Sequence, residues 1–150
     1  LLLRNGADVN FEVKADYQTY TATDIIIKKL KYQFLPLIIS FGGKPAEGSS
    51  MLQVAISAGG YVKNGTKLLE MIKAILRLNA HSEEISLSEM DDIIDNYKIQ
   101  NDRIIQVFEL LIANGIKIKK QDKKDEYKNT LENAKRRGGD ELYKYLKNIF

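Results

Sequence analysis

The sequence predicts an all-α fold, a solenoid of about four divergent helix-turn-helix units stacked side by side. Three observations support this: a helix-stop pattern recurs at nearly constant spacing, the segments between the stops carry apolar residues at helical intervals, and no segment shows convincing strand-like alternation. The chain has 150 residues, enough for one domain with a buried core.

The recurring stop consists of apolar residues followed by two further residues and then a glycine or asparagine. It is closed in turn by Gly6, Gly42, Asn79 and Gly115, at spacings of 36, 37 and 36 residues. Glycine and asparagine tolerate the left-handed conformation that commonly ends a helix. A stop with this period is typical of stacked helical units, each of which needs its neighbours to cover its apolar face.

The segments between the stops are predicted to be helical in order along the chain. LLLRNG is interpreted as the last turn of a helix whose partner is missing, so the domain is expected to be incomplete at its N-terminus. Each later unit has a short first helix, and the second helices carry apolar stripes such as that of 103–112. The first helices are expected at about 22–31, 51–58, 89–97 and 130–137. Ser88 and Asp91 have capping-box spacing.

Composition excludes several kinds of site. There is no cysteine, which rules out disulfides and thiol chemistry and fits a reducing, cytoplasmic compartment. The single histidine, His81, leaves little basis for a zinc site or a Ser-His-Asp relay. No apolar run approaches the roughly 18 residues that cross a bilayer, so no membrane span is expected. We expect neither a metal nor a cofactor.

The net charge of +3 is located in one segment, 117–128, where six lysines stand against three acids. Such a segment is usually a solvated loop. The alternative is weak binding of nucleic acid or another anion through this lysine loop, but the interleaved acids and the lack of arginine argue against it.

The chain resembles the ankyrin-repeat family in several segments. GADVN at 6–10 is similar to the loop that follows the second helix in that family, and the helix starts at 50–55 and 129–134 fit its T-P-L-H-x-A pattern. In the helix start at 50–55, Leu52 and Ala55 would be the inward pair. The helix start at 21–26 is a weaker fit, because Thr23 stands where leucine is expected. The resemblance implies one ankyrin-like domain over 1–150, with units at about 1–20 (partial), 21–49, 50–86, 87–128 and 129–150. A long connection is expected at 59–66.

The same resemblance implies a binding face formed by a projecting finger and the first helices. The finger would be the segment FEVKADYQTYTAT, whose exposed aromatic residues have the profile of interface anchors. The alternative is that these aromatics pack on a neighbouring unit. The residues placed on or near this face are Phe11, Asp16, Tyr17, Tyr20, Asp24, Lys28, Lys44 and Gln53.

No enzyme motif is present. GGKPAEGSS at 42–50 lacks the lysine spacing of a phosphate loop, and is better interpreted as a helix stop and a loop in which Ser49 or Ser50 caps the next helix. The carboxylates at 83–84 and 89–95 lie on predicted helix starts and polar faces, where acids favour the helix dipole.

The leading hypothesis is therefore a non-catalytic protein-interaction module with an unidentified protein partner and no small-molecule substrate. The alternative is the targeting domain of a larger enzyme whose catalytic part lies elsewhere. The lysine-rich composition resembles that of host-directed effectors of intracellular bacteria or viral host-range proteins, which would act after delivery into a host cytosol.

Overall fold

The computed structural model describes residues 2–15, 17–59, 65–79, 84–95, 101–119 and 124–149. Within these ranges the protein contains seven α-helices and two pairs of very short strands. The all-α prediction is confirmed in that the fold is mostly helical with little sheet. The short strands were not indicated by the sequence, since strands of two or three residues carry too few positions for an alternation pattern to be visible.

The chain begins with a short 3₁₀ turn and a β-hairpin. The turn at Leu3–Asn5 ends at Gly6, which has a left-handed φ of 83°. Strands β1 (Val13–Ala15) and β2 (Gln18–Tyr20) then pair antiparallel. The segment predicted as a finger is thus a hairpin, and Asp16 in its turn lies outside the described residues.

Two helix pairs follow the hairpin. Helix α1 is Ala22–Lys28, and α2 is Leu35–Ser40 preceded by a 3₁₀ turn at Tyr32–Phe34. Helices α3 (Met51–Gly59) and α4 (Gly65–Arg77) form the second pair. The backbone turns left-handed at Gly42 and Asn79, which are two of the four predicted stops. The predicted long connection at 59–66 falls largely on residues outside the described ranges.

The remaining elements are β3 (Glu84–Ile85), α5 (Leu87–Ile94), α6 (Asn101–Ala113), β4 (Lys117–Ile118) and α7 (Lys124–Ile149). Strand β4 pairs parallel with β3. Helix α7 contains a break at Gly139, where the backbone is not helical. The capping box of α5 is formed by Ser86 and Glu89 rather than by Ser88 and Asp91, because the helix begins two residues earlier than predicted.

The helices pack in two rows. The first helices of the pairs contact one another in sequence order, α1 on α3, α3 on α5 and α5 on α7. The second helices do the same, α2 on α4, α4 on α6 and α6 on α7. One apolar core runs through both rows, and Leu52 and Ala55 are fully buried in it as predicted. None of the helices in the described ranges combines the length and apolar character that a bilayer crossing requires.

Candidate partner-binding surface

The β1–β2 hairpin exposes the aromatic residues that the sequence placed on the finger. Tyr17 stands at the hairpin turn with its side chain fully exposed and a φ of 65°, which is unusual for a residue other than glycine. Phe11, just before β1, is 67% exposed. Both rings are therefore accessible, and neither packs into the core.

Tyr20 is fixed against α1 by a small polar network. Its hydroxyl donates to Gln18 Oε1 at 2.6 Å, and Lys28 Nζ donates to the same oxygen at 3.4 Å. The Lys28 ammonium also lies 4.2 Å from the centre of the Tyr20 ring, a cation–π contact. These contacts join the hairpin to the first helix and orient both side chains along the same surface.

Asp24 is the clearest correction to the predicted set, because its side chain is buried and serves the fold. Its carboxylate accepts hydrogen bonds from the backbone N–H of Thr21 at 2.8 Å and of Ala46 at 3.0 Å. With Thr21 it forms the capping box of α1. A carboxylate only 2% exposed and already satisfied by backbone donors is not free to bind a partner.

The loop that follows α2 is held by the loop that precedes the hairpin. The Lys44 backbone N–H donates to Asn10 Oδ1 at 2.8 Å, and Asn10 Nδ2 donates to the Gly42 carbonyl at 3.0 Å. The Lys44 carbonyl lies 2.7 Å from Thr21 Oγ1. Lys44 thus contributes its backbone to the fold, while its side chain is exposed.

A cleft of about 410 Å³ lies between the hairpin, α1, the loop after α2, and α3. Of the predicted residues, the structure brings Tyr20, Asp24, Lys28 and Gln53 together in its lining. Phe11, Tyr17 and Lys44 are not part of this lining. The cleft also contains residues that the sequence analysis missed, namely Gln18, Thr19, Glu47, Ser49 and Ser57. Polar and charged residues of these types are common on every surface and give no distinctive sequence signal.

A second groove of about 610 Å³ continues the first along the stack. It is lined by the loop after α2, the β3–α5 junction and Lys119. Ser49 and Gln53 line both depressions. Ser50, which lines the second groove, caps α3 by accepting a hydrogen bond from the Gln53 backbone N–H at 3.1 Å. It is one of the two serines, Ser49 or Ser50, that were predicted as the cap of this helix. The two grooves therefore form one strip along the first helices, here called the concave strip.

Comparison with known proteins identifies no relative. No protein-family model matches this chain, and neither a curated protein nor a solved structure matches it.

The lysine segment at 117–128 is not the continuous loop that was predicted. Its first residues form β4, where the Lys119 backbone N–H donates to the Ile85 carbonyl at 2.8 Å, and its last residues belong to α7. Lys128 lies 3.9 Å from Glu132 in an exposed ion pair. Residues 120–123 lie outside the described ranges. Of the described lysines, Lys117 lies in β4, Lys119 directly follows this strand, and Lys124 and Lys128 belong to α7.

The carboxylates of α5 mainly connect this helix to α7. Asp91 accepts from Thr130 Oγ1 at 3.2 Å and from Asn133 Nδ2 at 3.3 Å, and Asp95 accepts from Arg137 Nε at 3.2 Å. Burial raises the pKa of Asp91 above its ordinary value, although the two hydrogen bonds oppose this. These contacts give the acids a structural role.

Among the described residues, no three His, Cys, Asp or Glu side chains converge as a metal site would require. His81 and Glu83 lie outside the described ranges.

Proposed function

We propose that this protein is a non-catalytic protein-interaction module, built as a solenoid of about four divergent ankyrin-like units, that binds a protein partner along the concave strip. The observation that carries the proposal is the continuity of the strip, in which Ser49 and Gln53 belong to two adjoining grooves. A strip that crosses three first helices suits an extended polypeptide surface better than a small molecule, which is usually enclosed in one pocket.

The chemistry of the strip supports the same proposal. The oriented Tyr20 and Lys28 pair supplies an aromatic ring and a cation at one end, where Gln18 already holds both groups in place. Tyrosine contributes large contact area at low entropic cost, and preorganised side chains lose less freedom when a partner binds. The hairpin adds the accessible rings of Phe11 and Tyr17 beside the strip.

The absence of cysteine permits a direct test. A single cysteine introduced as Ser57→Cys, in the cleft lining, can carry a photo-crosslinker, and Gln106→Cys on the exposed side of α6 provides the control. The proposal predicts that the first probe crosslinks one partner strongly from a lysate of the source cells, while the control does not. Tyr17→Ala/Tyr20→Ala in the Ser57→Cys background should reduce the yield about tenfold.

The result that would overturn the proposal is equally specific. If the double variant keeps its circular-dichroism spectrum and melting temperature but crosslinks the partner with undiminished yield, the hairpin and cleft are not the binding face. Equal crosslinking from Ser57→Cys and Gln106→Cys would exclude the concave strip as the preferred surface.

A further inference from the structure

The backbone edge of β2 opens into the cleft between the hairpin and α3. Side chains alternate across a strand, so Gln18 and Tyr20 project to one face of the hairpin and Thr19 projects to the other. All three residues nevertheless line the cleft. A cleft that is in contact with both faces of a strand lies along the edge of that strand.

The pairing of the hairpin directs the backbone of Thr19 toward this edge. Ala15 pairs with Gln18 across a two-residue turn, and the residues that close such a turn exchange both of their backbone hydrogen bonds. Hydrogen-bonded and non-hydrogen-bonded pairs alternate along an antiparallel ladder, so the next pair, Lys14 and Thr19, is not hydrogen-bonded. The N–H and C=O of Thr19 therefore point away from β1 and toward the cleft.

Later in the chain, the corresponding strand edge is covered by the next loop. Strand β3 ends directly before the capping Ser86, just as β2 ends directly before the capping Thr21. Strand β3 is paired with β4, which begins two residues after the stop at Gly115. At that junction, the loop after a second helix thus supplies the strand that covers the edge.

The loop after α2 does not supply such a strand to β2. Its residues at the positions that correspond to β4 are Lys44 and Pro45, and neither belongs to a strand. Proline has no N–H to contribute to a ladder. The Lys44 N–H donates to Asn10 Oδ1, and the Ala46 N–H donates to Asp24 Oδ2. The backbone donors that could pair with β2 are therefore used elsewhere, and the cleft takes the place of the strand.

A cation lies beside the open edge. Lys28 is half-buried, and its ammonium contacts Gln18 Oε1 and the ring of Tyr20, both of which are uncharged. The Asp24 carboxylate in the same lining is buried and accepts from two backbone N–H groups, whereas Glu47 on the loop after α2 is exposed. A carboxylate brought in by a bound chain would meet an ammonium whose side chain is already held in position.

We propose that the edge of β2 binds an extended segment of the protein partner, which adds to β2 as a strand and places an Asp or Glu side chain against Lys28. An extended backbone suits this edge because one residue of an added strand can exchange two hydrogen bonds with the N–H and C=O of Thr19. The inference rests on the proposed function, since it names the part of the partner that occupies the concave strip. The cleft lies between α1 and α3, so a unit packed on the opposite side of α1 would leave it open.

The test uses a display library of random linear peptides, selected on protein that is immobilised through Asn148→Cys on the exposed side of α7. We expect the selected peptides to share an Asp or Glu at one aligned position. NMR-detected hydrogen exchange then follows the Thr19 amide, which should exchange rapidly in the free protein and about tenfold or more slowly with a selected peptide bound. The Lys14 amide points to the other edge of the hairpin, and its exchange should not change.

Three variants separate the backbone contribution from the charge contribution. Thr19→Pro removes the N–H that an added strand needs, at a position where the hairpin itself does not use it, and should weaken peptide binding about tenfold. Lys14→Pro makes the same change on the other edge and should leave binding unchanged. Lys28→Glu should shift the selected position from Asp or Glu to Lys or Arg.

Several results would overturn the inference. Peptides that bind without slowing the exchange of the Thr19 amide, or that bind Thr19→Pro and Lys14→Pro equally, would exclude strand addition. Unchanged selection of Asp or Glu by Lys28→Glu would exclude the ion pair. If no peptide is selected although Ser57→Cys crosslinks a partner that Gln106→Cys does not, the strip binds a folded surface, and this inference fails while the proposed function stands.

Discussion

The side chain of Asn10 holds the backbone of Lys44 in place across 34 positions of sequence. Its Oδ1 accepts from the Lys44 N–H at 2.8 Å while its Nδ2 donates to the Gly42 carbonyl at 3.0 Å. One amide thereby satisfies two backbone groups of a loop that also borders the candidate cleft. The asparagine of the GADVN segment is thus a bridge between successive loops.

Replacing Asn10 should therefore destabilise the protein although the residue is exposed. Asn10→Ala is expected to lower the free energy of unfolding by about 1–2 kcal/mol, because both backbone groups lose their partner. Urea unfolding followed by circular dichroism measures this. Asn10→Asp is the matched control: it keeps the acceptor for Lys44 but places a carboxylate oxygen against the Gly42 carbonyl, so an intermediate or larger loss is expected. No loss in either variant would show that the bridge contributes nothing.

A second prediction concerns Thr23, which is completely buried and whose Oγ1 has no hydrogen-bond partner among the described residues. Thr23→Val removes the buried hydroxyl at nearly constant volume and should raise the free energy of unfolding by about 1 kcal/mol. Thr130 is equally buried, but its hydroxyl donates to Asp91. Thr130→Val should therefore destabilise. Thermal denaturation of the two variants in parallel checks the contrast, and equal destabilisation would contradict it.

The kink in α7 gives a third prediction. Gly139 has φ 68° and ψ −162°, a region open essentially to glycine alone. Gly139→Ala should cost about 1–3 kcal/mol of stability through backbone strain, since no neighbouring atom would obstruct the new methyl group.

Asparagine variants distinguish the strained backbone at Gly139 from the left-handed backbone of an ordinary helix stop. Asn79 already occupies a left-handed stop at φ 50°, so Gly115→Asn at the next stop should be tolerated, whereas Gly139→Asn should not. Differential scanning calorimetry of the two asparagine variants provides the measurement. If Gly139→Asn lowers the melting temperature only slightly, the backbone at the kink must relax to accommodate the asparagine.

The fourth prediction concerns pH and the acids of α5. Burial, then the neighbouring charges of Asp91, Glu89 and Asp95, raise the pKa of Asp92 above 3.8 in the folded protein. The folded state therefore binds more protons than the unfolded state as pH rises from 3.8 through the raised pKa, and stability should fall over that interval. The destabilisation is fully present at neutral pH.

Asp92→Asn removes both the cost of burying this charge and the repulsion from the neighbouring acids. At pH 7 it should increase the free energy of unfolding by up to about 0.5 kcal/mol, a small effect because the side chain is exposed and screened. Its stability should also change less between pH 4 and pH 7 than that of the unmodified protein. Asp140→Asn on α7 serves as the control, and urea titrations at several pH values provide the comparison. If Asp92→Asn is less stable than the unmodified protein at pH 7, the charge of Asp92 does not destabilise the fold.

Part of the architecture could be predicted because it depends on local chemistry. The stops at Gly42, Asn79 and Gly115 require residues that accept a left-handed backbone, and the apolar stripes of the second helices follow from the helical repeat. The inward pair Leu52 and Ala55 is what the resemblance of 50–55 to an ankyrin helix start implies. These features depend on residues a few positions apart, so the sequence alone determined them.

Other features depend on residues brought together from distant parts of the chain. Strands β3 and β4 have two residues each and exist only because Ile85 meets Ile118. Asp24 looked like an exposed polar residue near a helix start, but the Ala46 N–H from the next loop covers it. The concave strip likewise joins Tyr20 to Gln53. Tertiary structure decided these points, because burial and long-range hydrogen bonds are set by neighbours that no local pattern specifies.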